Sequence, residues 1–418
     1  MSWVQILAAN FAILYPRIFW CLLSFIRMCL KFFRIFFPNI LFTQVAIEKC
    51  NSAYLESDSN HQLPAALFFI HSFQLSGAES YALKCAMIAK SVGFKVIWVV
   101  DFDSEDKSQL PAFLDISDLI VYGWLAKSPL SEVAGLINDH SLNVKIIHLH
   151  HSVYGYLNIS TIKRVFPYAL AFDSTHVFEL GGRGFPRLSY KHRKDIDLHN
   201  VISDGLERFF SERGVKNVVR TVISPDVVEL TKTSTDMFTI KIIGRLCFQK
   251  RSYLIPMYIR QLSKALSDVN CSKKVEVQIV GGGIFKNLLI HKNFPSNIVV
   301  RFLDGITSKS KIYNDADLVV QLSENEGVSI VSYECAQMEV PILATDVGQQ
   351  SESIHPDMLL PLSPGPCIKQ AISKSLSFIL HPEENRHIVD WQSCNLNNLT
   401  KQYDFRSVFT KVYADAIR

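Results

Sequence analysis

The spacing of hydrophobic positions changes character along the chain. Over residues 1–47 apolar side chains are nearly continuous, interrupted by single basic residues. From Asn51 onward, short apolar runs alternate with amphipathic stretches. Ala65–Ile70 (AALFFI) predicts a strand, Gly77–Val92 a helix and Phe94–Val100 a second strand. Asp118–Tyr122, Val144–Leu149, Leu198–Ile202 and Val218–Ile223 predict four more strands. The polar, Thr- and Ser-rich stretch Leu230–Met237 reads as a linker. The alternation then restarts with Thr239–Ile243, Val275–Val280, Ile298–Phe302, Leu318–Leu322 and Ile342–Ala344. Strands that are apolar on both faces and separated by helices form a parallel sheet covered on both sides. The prediction is an α/β chain with two tandem Rossmann-like domains, 51–232 and 233–400, facing each other across a cleft. A last helix within 401–418 is expected to pack back on the first domain.

The N-terminal 1–50 reads differently. Pro16 and Pro38 bracket a candidate helix over 17–37. At about 100° per residue, Arg17, Arg27, Lys31 and Arg34 fall within an arc of about 100°, opposite Ile18, Leu22, Phe25, Cys29, Phe32, Phe33 and Phe36. A basic stripe opposite a Phe-rich face is the pattern of an amphipathic helix lying in a membrane interface, its cations against anionic lipids. A single span through 3–26 and a helix packed on the protein's own body are the competing readings. A cleaved signal peptide fits poorly, because the apolar region is long and no small-residue cleavage site follows.

Composition narrows the classes. The 418 residues are 48% hydrophobic and 20% charged, which excludes a disordered or collagen-like chain. The net charge is +4, and the first 47 residues hold four cations and no acid, so the remainder is close to neutral. That argues against a nucleic-acid partner. Nine scattered cysteines without a CxxC predict reduced thiols rather than zinc or a disulfide framework.

The densest candidate chemistry follows Leu318–Leu322, in SENEGVSIVSYECAQMEVPILATDVGQQSE, residues 323–352. Open parallel sheets bind ligands beyond the carboxyl ends of their strands. A helix beginning after Gly327 would offer the free N–H groups of Val328, Ser329 and Ile330 to an anion. Glu326 would stand at that rim. Glu334, about two turns along, could accept hydrogen bonds from a pair of sugar hydroxyls. Taken alone, such a pair is more simply two solvated helix acids.

The wider pattern resembles the E-x7-E segment of the GT-B glycosyltransferases, in particular the retaining family 4, "group 1" type. Glu326-Gly327, Glu334, Pro341-Ile342, Ala344-Thr345, Gly348 and Glu352 match in register, with Ser329, Cys335 and Gln349 as departures. IIGRLCFQKR (242–251) resembles the G-R-L-x-x-x-K-G block, with Gly244, Arg245 and Lys250 in place and Arg251 where the family has Gly. Gly281-Gly282-Gly283 resembles the V-G-x-G turn, and Asp315–Val320 the A-D strand. In the first half, Gly77-Ala78-Glu79 resembles the turn opening the first helix, and His148, His150 and His151 end a strand where the family often carries a His beside the reacting sugar. Of these, His150 or His151 is favoured, while His148 is expected to be buried. Ser203 stands where a V-x-x-S ends a strand.

The resemblance implies a membrane-associated enzyme at the cytoplasmic face. It would transfer a sugar from a UDP- or GDP-sugar to a lipid-linked or polysaccharide acceptor with retention of configuration. Arg245 and Lys250 would grip the diphosphate, Gly77, Glu79, Gly282, Gly327 to Ile330 and Glu334 would line the donor, and Glu326 with His150 or His151 would face the reacting sugar. D-x-D occurs at Asp101–Asp103, Asp195–Asp197 and Asp315–Asp317. With two cations available for the diphosphate, no metal or other cofactor is expected. An inverting transferase or epimerase using a His base, or a catalytically degenerate assembly partner, are the alternatives.

Overall fold

The structure, a computed structural model, describes residues 3–36, 62–74, 76–104, 107, 109–123, 129–178, 184–225, 236–303 and 308–417. Two parallel sheets each organise one compact unit. The first unit comprises Pro38–Ser224 with Thr400–Arg418, and the second Met1–Phe37 with Pro225–Leu399.

The first sheet has strands β1 (Leu63–Ile70), β2 (Lys95–Val100), β3 (Leu119–Tyr122), β4 (Leu142–His150), β5 (Leu170–Thr175), β6 (Leu198–Val201) and β7 (Val218–Arg220), in the order β3-β2-β1-β4-β5-β6-β7. Every pairing is parallel. The strand order reverses between β1 and β4, the place where a doubly wound sheet opens a crevice at its carboxyl edge. Ala65–Ile70 is buried throughout, as a central strand covered on both faces must be. The helix Phe405–Ile417 joins this unit. It buries Phe409 and Tyr413 completely, and the Tyr413 hydroxyl meets His148 Nδ1 at 2.9 Å.

β5 is absent from the sequence reading. Its second half is Asp173-Ser174-Thr175, which breaks the apolar run, yet all three are buried. Their polarity is satisfied internally. Asp173 accepts from Tyr156 at 2.7 Å and pairs with His199, and Ser174 bonds His148 and Asn200. A polar network took the place of the hydrophobic signal.

The second sheet has β8 (Met237–Ile243), β9 (Lys274–Val280), β10 (Ile298–Leu303), β11 (Leu318–Gln321), β12 (Ile342–Thr345) and β13 (Leu359–Leu360), in the order β10-β9-β8-β11-β12-β13. Met237 opens β8, whereas residues 230–235 of the expected linker lie outside the described residues.

The N-terminal segment is not separate. It forms α1 (Trp3–Leu14) and α2 (Pro16–Phe36). Ala9 and Ala12 are fully buried in the second unit's core, together with Tyr253, Leu254 and Ile368. Phe19 stacks on Phe248 at 5.6 Å and meets Tyr253 edge-on at 5.2 Å. Pro16 does not stop the chain, because it occupies the first turn of α2, where its missing N–H costs nothing. Hydrogen bonds from Tyr15 N to Phe11 O and from Phe19 N to Tyr15 O carry the backbone past it. Among the described residues no helix is long and apolar enough to cross a membrane.

Candidate functional site

The loops that follow β8, β9 and β11 interlock at the carboxyl edge of the second sheet. After β8, Gly244 has φ +137°, and its N–H bonds Val280 O at 3.0 Å. After β9, Gly281 has φ +132°, and a Cβ there would lie 2.2 Å from Gly244 O. A Cβ on Gly283, φ +138°, would lie 2.5 Å from Leu246 O. These two glycines are therefore required for the loops to touch. Gly282, the one assigned to the ligand from sequence, has open space at its Cβ position, and its carbonyl accepts from Leu246 N at 2.7 Å.

The β8 loop is strapped to the segment after β11. Glu324 N bonds Gln249 O at 2.8 Å, and Gln249 Nε2 bonds Asn325 O at 3.0 Å. This brings Lys250 onto Glu326: its ammonium donates to Glu326 Oε1, which also accepts from Ser323 Oγ at 2.6 Å. Arg245 is exposed beside Lys250, in a recess lined by Gly244, Leu246, Ser252 and Ser323. Arg251, the departure from Gly, has φ +49° and is fully buried. It takes the left-handed conformation that favours Gly, and its Nη1 donates to Leu362 O at 2.6 Å.

The helix expected right after Gly327 begins three residues later, at Ile330, and runs to Gln337. The Gly327 carbonyl accepts from Gln349 N at 3.1 Å, which holds the chain out of the helical path, and Ser329 becomes the N-cap residue. Of the three N–H groups predicted to hold an anion, that of Ile330 alone lies within the helix; Val328 and Ser329 are buried ahead of it. Gly348, φ +62°, packs against this same bend: a Cβ there would lie 1.7 Å from Glu326 O. Glu334 lies on the helix. Its carboxylate accepts from Tyr313 at 2.7 Å and pairs with Lys309 at 3.1 Å. Burial and the Glu334 charge push the Tyr313 phenol well above its ordinary value, so it stays a donor. Lys309, Tyr313 and Ser323 carry no sequence signal of their own; they are found through their contacts.

Residues 238–374 match the family described as Glycosyl transferases group 1. That match lies wholly within the second unit. Solved structures extend the likeness in fold to about 85% of the chain. HepE from Anabaena, in complex with UDP-glucose, is 14% identical with a TM-score of 0.62, covering 85% of this chain and 99% of its own. TarM from S. aureus, solved as a variant with Fondaparinux, alpha-GlcNAc-glycerol and UDP, is 11% identical with a TM-score of 0.61 over the same shares. A glycosyltransferase from Rickettsia africae is 13% identical with a TM-score of 0.60, again over 85% and 99%. At these identities the likeness shows the two-domain GT-B fold. No curated protein matches the chain.

In the first unit, the helix Gly77–Val92 starts where the sequence placed it. Glu79 lies in its first turn, buried, and accepts from Ser76 Oγ. The three strand-end histidines have distinct surroundings. His148 is buried, both ring nitrogens engaged by Tyr413 and Ser174. His150 is 1% exposed and neither ring nitrogen has a partner. His151 is the least enclosed, with φ +51°, its ring stacked on Phe185 at 4.3 Å and its Nε2 accepting from His176 N. Burial lowers His148 and His151 to about 3 and His150 well below its ordinary value, so all three are neutral. Ser203 caps the helix Asp204–Ser211 through Leu206 N.

The D-x-D pairs have structural partners. Asp101 caps the helix Val153–Val165 through Val153 N and Ser152 Oγ, Asp197 binds Lys163 and Ala171 N, and Asp317 binds Thr239 N. Among the described residues, Cys85, His148 and His150, and separately His355, Asp357 and His387, bring ligand-type atoms within 4.8 Å of one another. His148 has no lone pair to spare, since one nitrogen donates and the other accepts.

Proposed function

We propose that the protein transfers a sugar from a nucleotide-sugar, with a UDP-sugar as the first candidate, at the carboxyl edge of the second sheet. The observation that carries this reading is the convergence of Lys250 and Arg245 with Glu326 on loops packed so closely that Gly281, Gly283 and Gly348 admit no side chain. Two cations suit the two phosphates of the leaving nucleoside diphosphate, neutralising charge as it develops. They supply that charge without a metal. Glu334, fixed by Lys309 and Tyr313, is placed for the donor's nucleoside hydroxyls, and Glu326 for the transferred sugar. The UDP and UDP-glucose complexes of the structural relatives support a uridine donor.

Transfer proceeds with retention, following the family pattern. The acceptor is lipid-linked or a growing polysaccharide, reached at the cytoplasmic face of a membrane through the apolar N-terminal helices. A His-based inverting route gains no support from the first unit. A base held neutral down to about 3 by burial is a weak proton acceptor, and His150 is enclosed. The test is a panel of UDP- and GDP-sugars screened by thermal shift, followed by NMR of the anomeric proton of the product. A bound donor raises the melting temperature by mass action. No shift with any nucleotide-sugar, or an inverted product, refutes the corresponding part of the reading.

A further inference from the structure

We propose that the outward face of α1 and the first half of α2 is a docking surface for an anionic lipid bilayer, built rigidly onto the second unit. This rests on the reading of the protein as a membrane-surface transferase and assigns which residues meet the lipid.

Leu7, Phe11, Leu14, Ile18, Leu22 and Phe25 are 58, 38, 62, 55, 47 and 60% exposed. Successive members are three or four residues apart, which makes one continuous helical stripe. It runs through Pro16 because the backbone bonds of Tyr15 and Phe19 keep the two helices in one path. The opposite side is already used: Ala9, Ala12 and Ile13 are buried in the second unit's core, and Phe19 packs on Phe248 and Tyr253. The stripe therefore cannot turn inward without unpacking that contact. A contiguous row of large apolar side chains facing water marks an interaction site.

Charge selects the occupant. Residues 1–47 contain Arg17, Arg27, Lys31 and Arg34 and no acid, so the segment favours a surface that is apolar inside and anionic at its rim. A second copy of the chain would bring two cationic segments together, which opposes self-association through this face. A spanning arrangement conflicts with the packing, because one side of α1 is committed to protein. The helices lie in the interface plane, and the donor-binding unit, rather than the first unit that follows them in sequence, is held at the lipid.

The experiment is flotation of the full chain with vesicles of phosphatidylcholine alone or mixed equally with phosphatidylglycerol. Wild type is expected to float with the mixed vesicles and about tenfold less with phosphatidylcholine alone. The double variant Leu14→Glu/Leu22→Glu is expected to lose flotation by about tenfold or more while keeping its melting temperature and its UDP-induced thermal shift. Both positions are exposed, so folding should be unaffected, and Leu14→Gln/Leu22→Gln serves if the acidic pair reduces the melting temperature. A variant that floats like wild type overturns the proposal. So does a wild type that stays in solution as a dimer which the variant converts to monomers. The UDP shift is a separate readout: its absence in wild type refutes the donor reading, whatever the flotation result.

Discussion

Lys250 and Glu326 neutralise each other across 76 positions of sequence, in the recess where a diphosphate would need the lysine. The carboxylate stands in for the anion. Both side chains are partly screened, 20 and 10% exposed, so the pair is neither a free surface contact nor sealed in the core. On the proposed donor reading, a diphosphate would have to take Lys250 from Glu326, which would stay tethered by Ser323.

That competition gives opposite signs for two substitutions. Lys250→Ala removes a charged hydrogen bond to the diphosphate and should weaken UDP binding by roughly 1.5–3 kcal/mol. Glu326→Gln removes the competitor, so UDP affinity should hold or rise by a few-fold while turnover falls. Calorimetry with UDP beside steady-state kinetics separates the two. If Glu326→Gln weakens UDP as much as Lys250→Ala does, the pair is a structural strut and the competition does not exist.

Glu334→Gln should weaken UDP binding by about 1.5–3 kcal/mol, because a carboxylate acceptor becomes neutral and its pairing with Lys309 is lost. Tyr313→Phe leaves that ion pair intact and should cost less, about 0.5–1.5 kcal/mol. Equal losses in the two variants would mean that Glu334 acts only through its hold on Tyr313.

Much of this arrangement was legible in sequence. The strand ends, the Gly244-Arg245-Leu246 turn, Lys250 and Glu326 are all local signals tied to the carboxyl edge of a parallel sheet. What was not legible depends on tertiary contacts. The helix starts at Ile330 rather than after Gly327 because Gln349, far along the chain, binds the Gly327 carbonyl. β5 was hidden because Asp173 and Ser174 are satisfied by partners on other strands and helices. Lys309 and Tyr313 come from a short helix with no motif. Pro16 reads as a boundary, whereas the helical path continues through it.

The glycine run offers a controlled comparison within three residues. Gly281→Ala places a Cβ 2.2 Å from a backbone carbonyl at φ +132°, so the β8 loop must move or the residue must strain. A loss of about 2 kcal/mol or more is expected. Gly282→Ala meets nothing within 4 Å and should leave thermal stability within about 0.5 kcal/mol. Any change in its UDP affinity would then report contact with the ligand itself. Gly348→Ala should resemble Gly281→Ala and also disturb Glu326, since its Cβ would overlap the Glu326 carbonyl. Equal stability of all three variants in thermal melts would contradict the loop geometry.

Acid should destabilise the first unit before the second. His148 and His151 titrate near 3 when folded and near 6.5 when unfolded, and His150 and His176 are lowered well below 6.5, in every case chiefly by burial. His71 is lowered as well. Between those values the unfolded chain binds protons that the folded one refuses, so stability is complete above about 6.5 and falls as pH drops toward 3. Each such histidine contributes a slope of up to about 1.4 kcal/mol per pH unit. Asp101 opposes them. Burial raises its carboxyl to about 7, so between about 4 and 7 the folded state holds the extra proton, and that contribution grows as pH falls. One acid cannot offset several histidines, and the net sign is loss. Thermal melts from about pH 8 to about pH 5 should show a falling first transition, with UDP protecting the second unit's transition more than the first. A melting profile flat across that range would mean that the histidines are already protonated or hydrated, against their burial at the ends of β4 and β5.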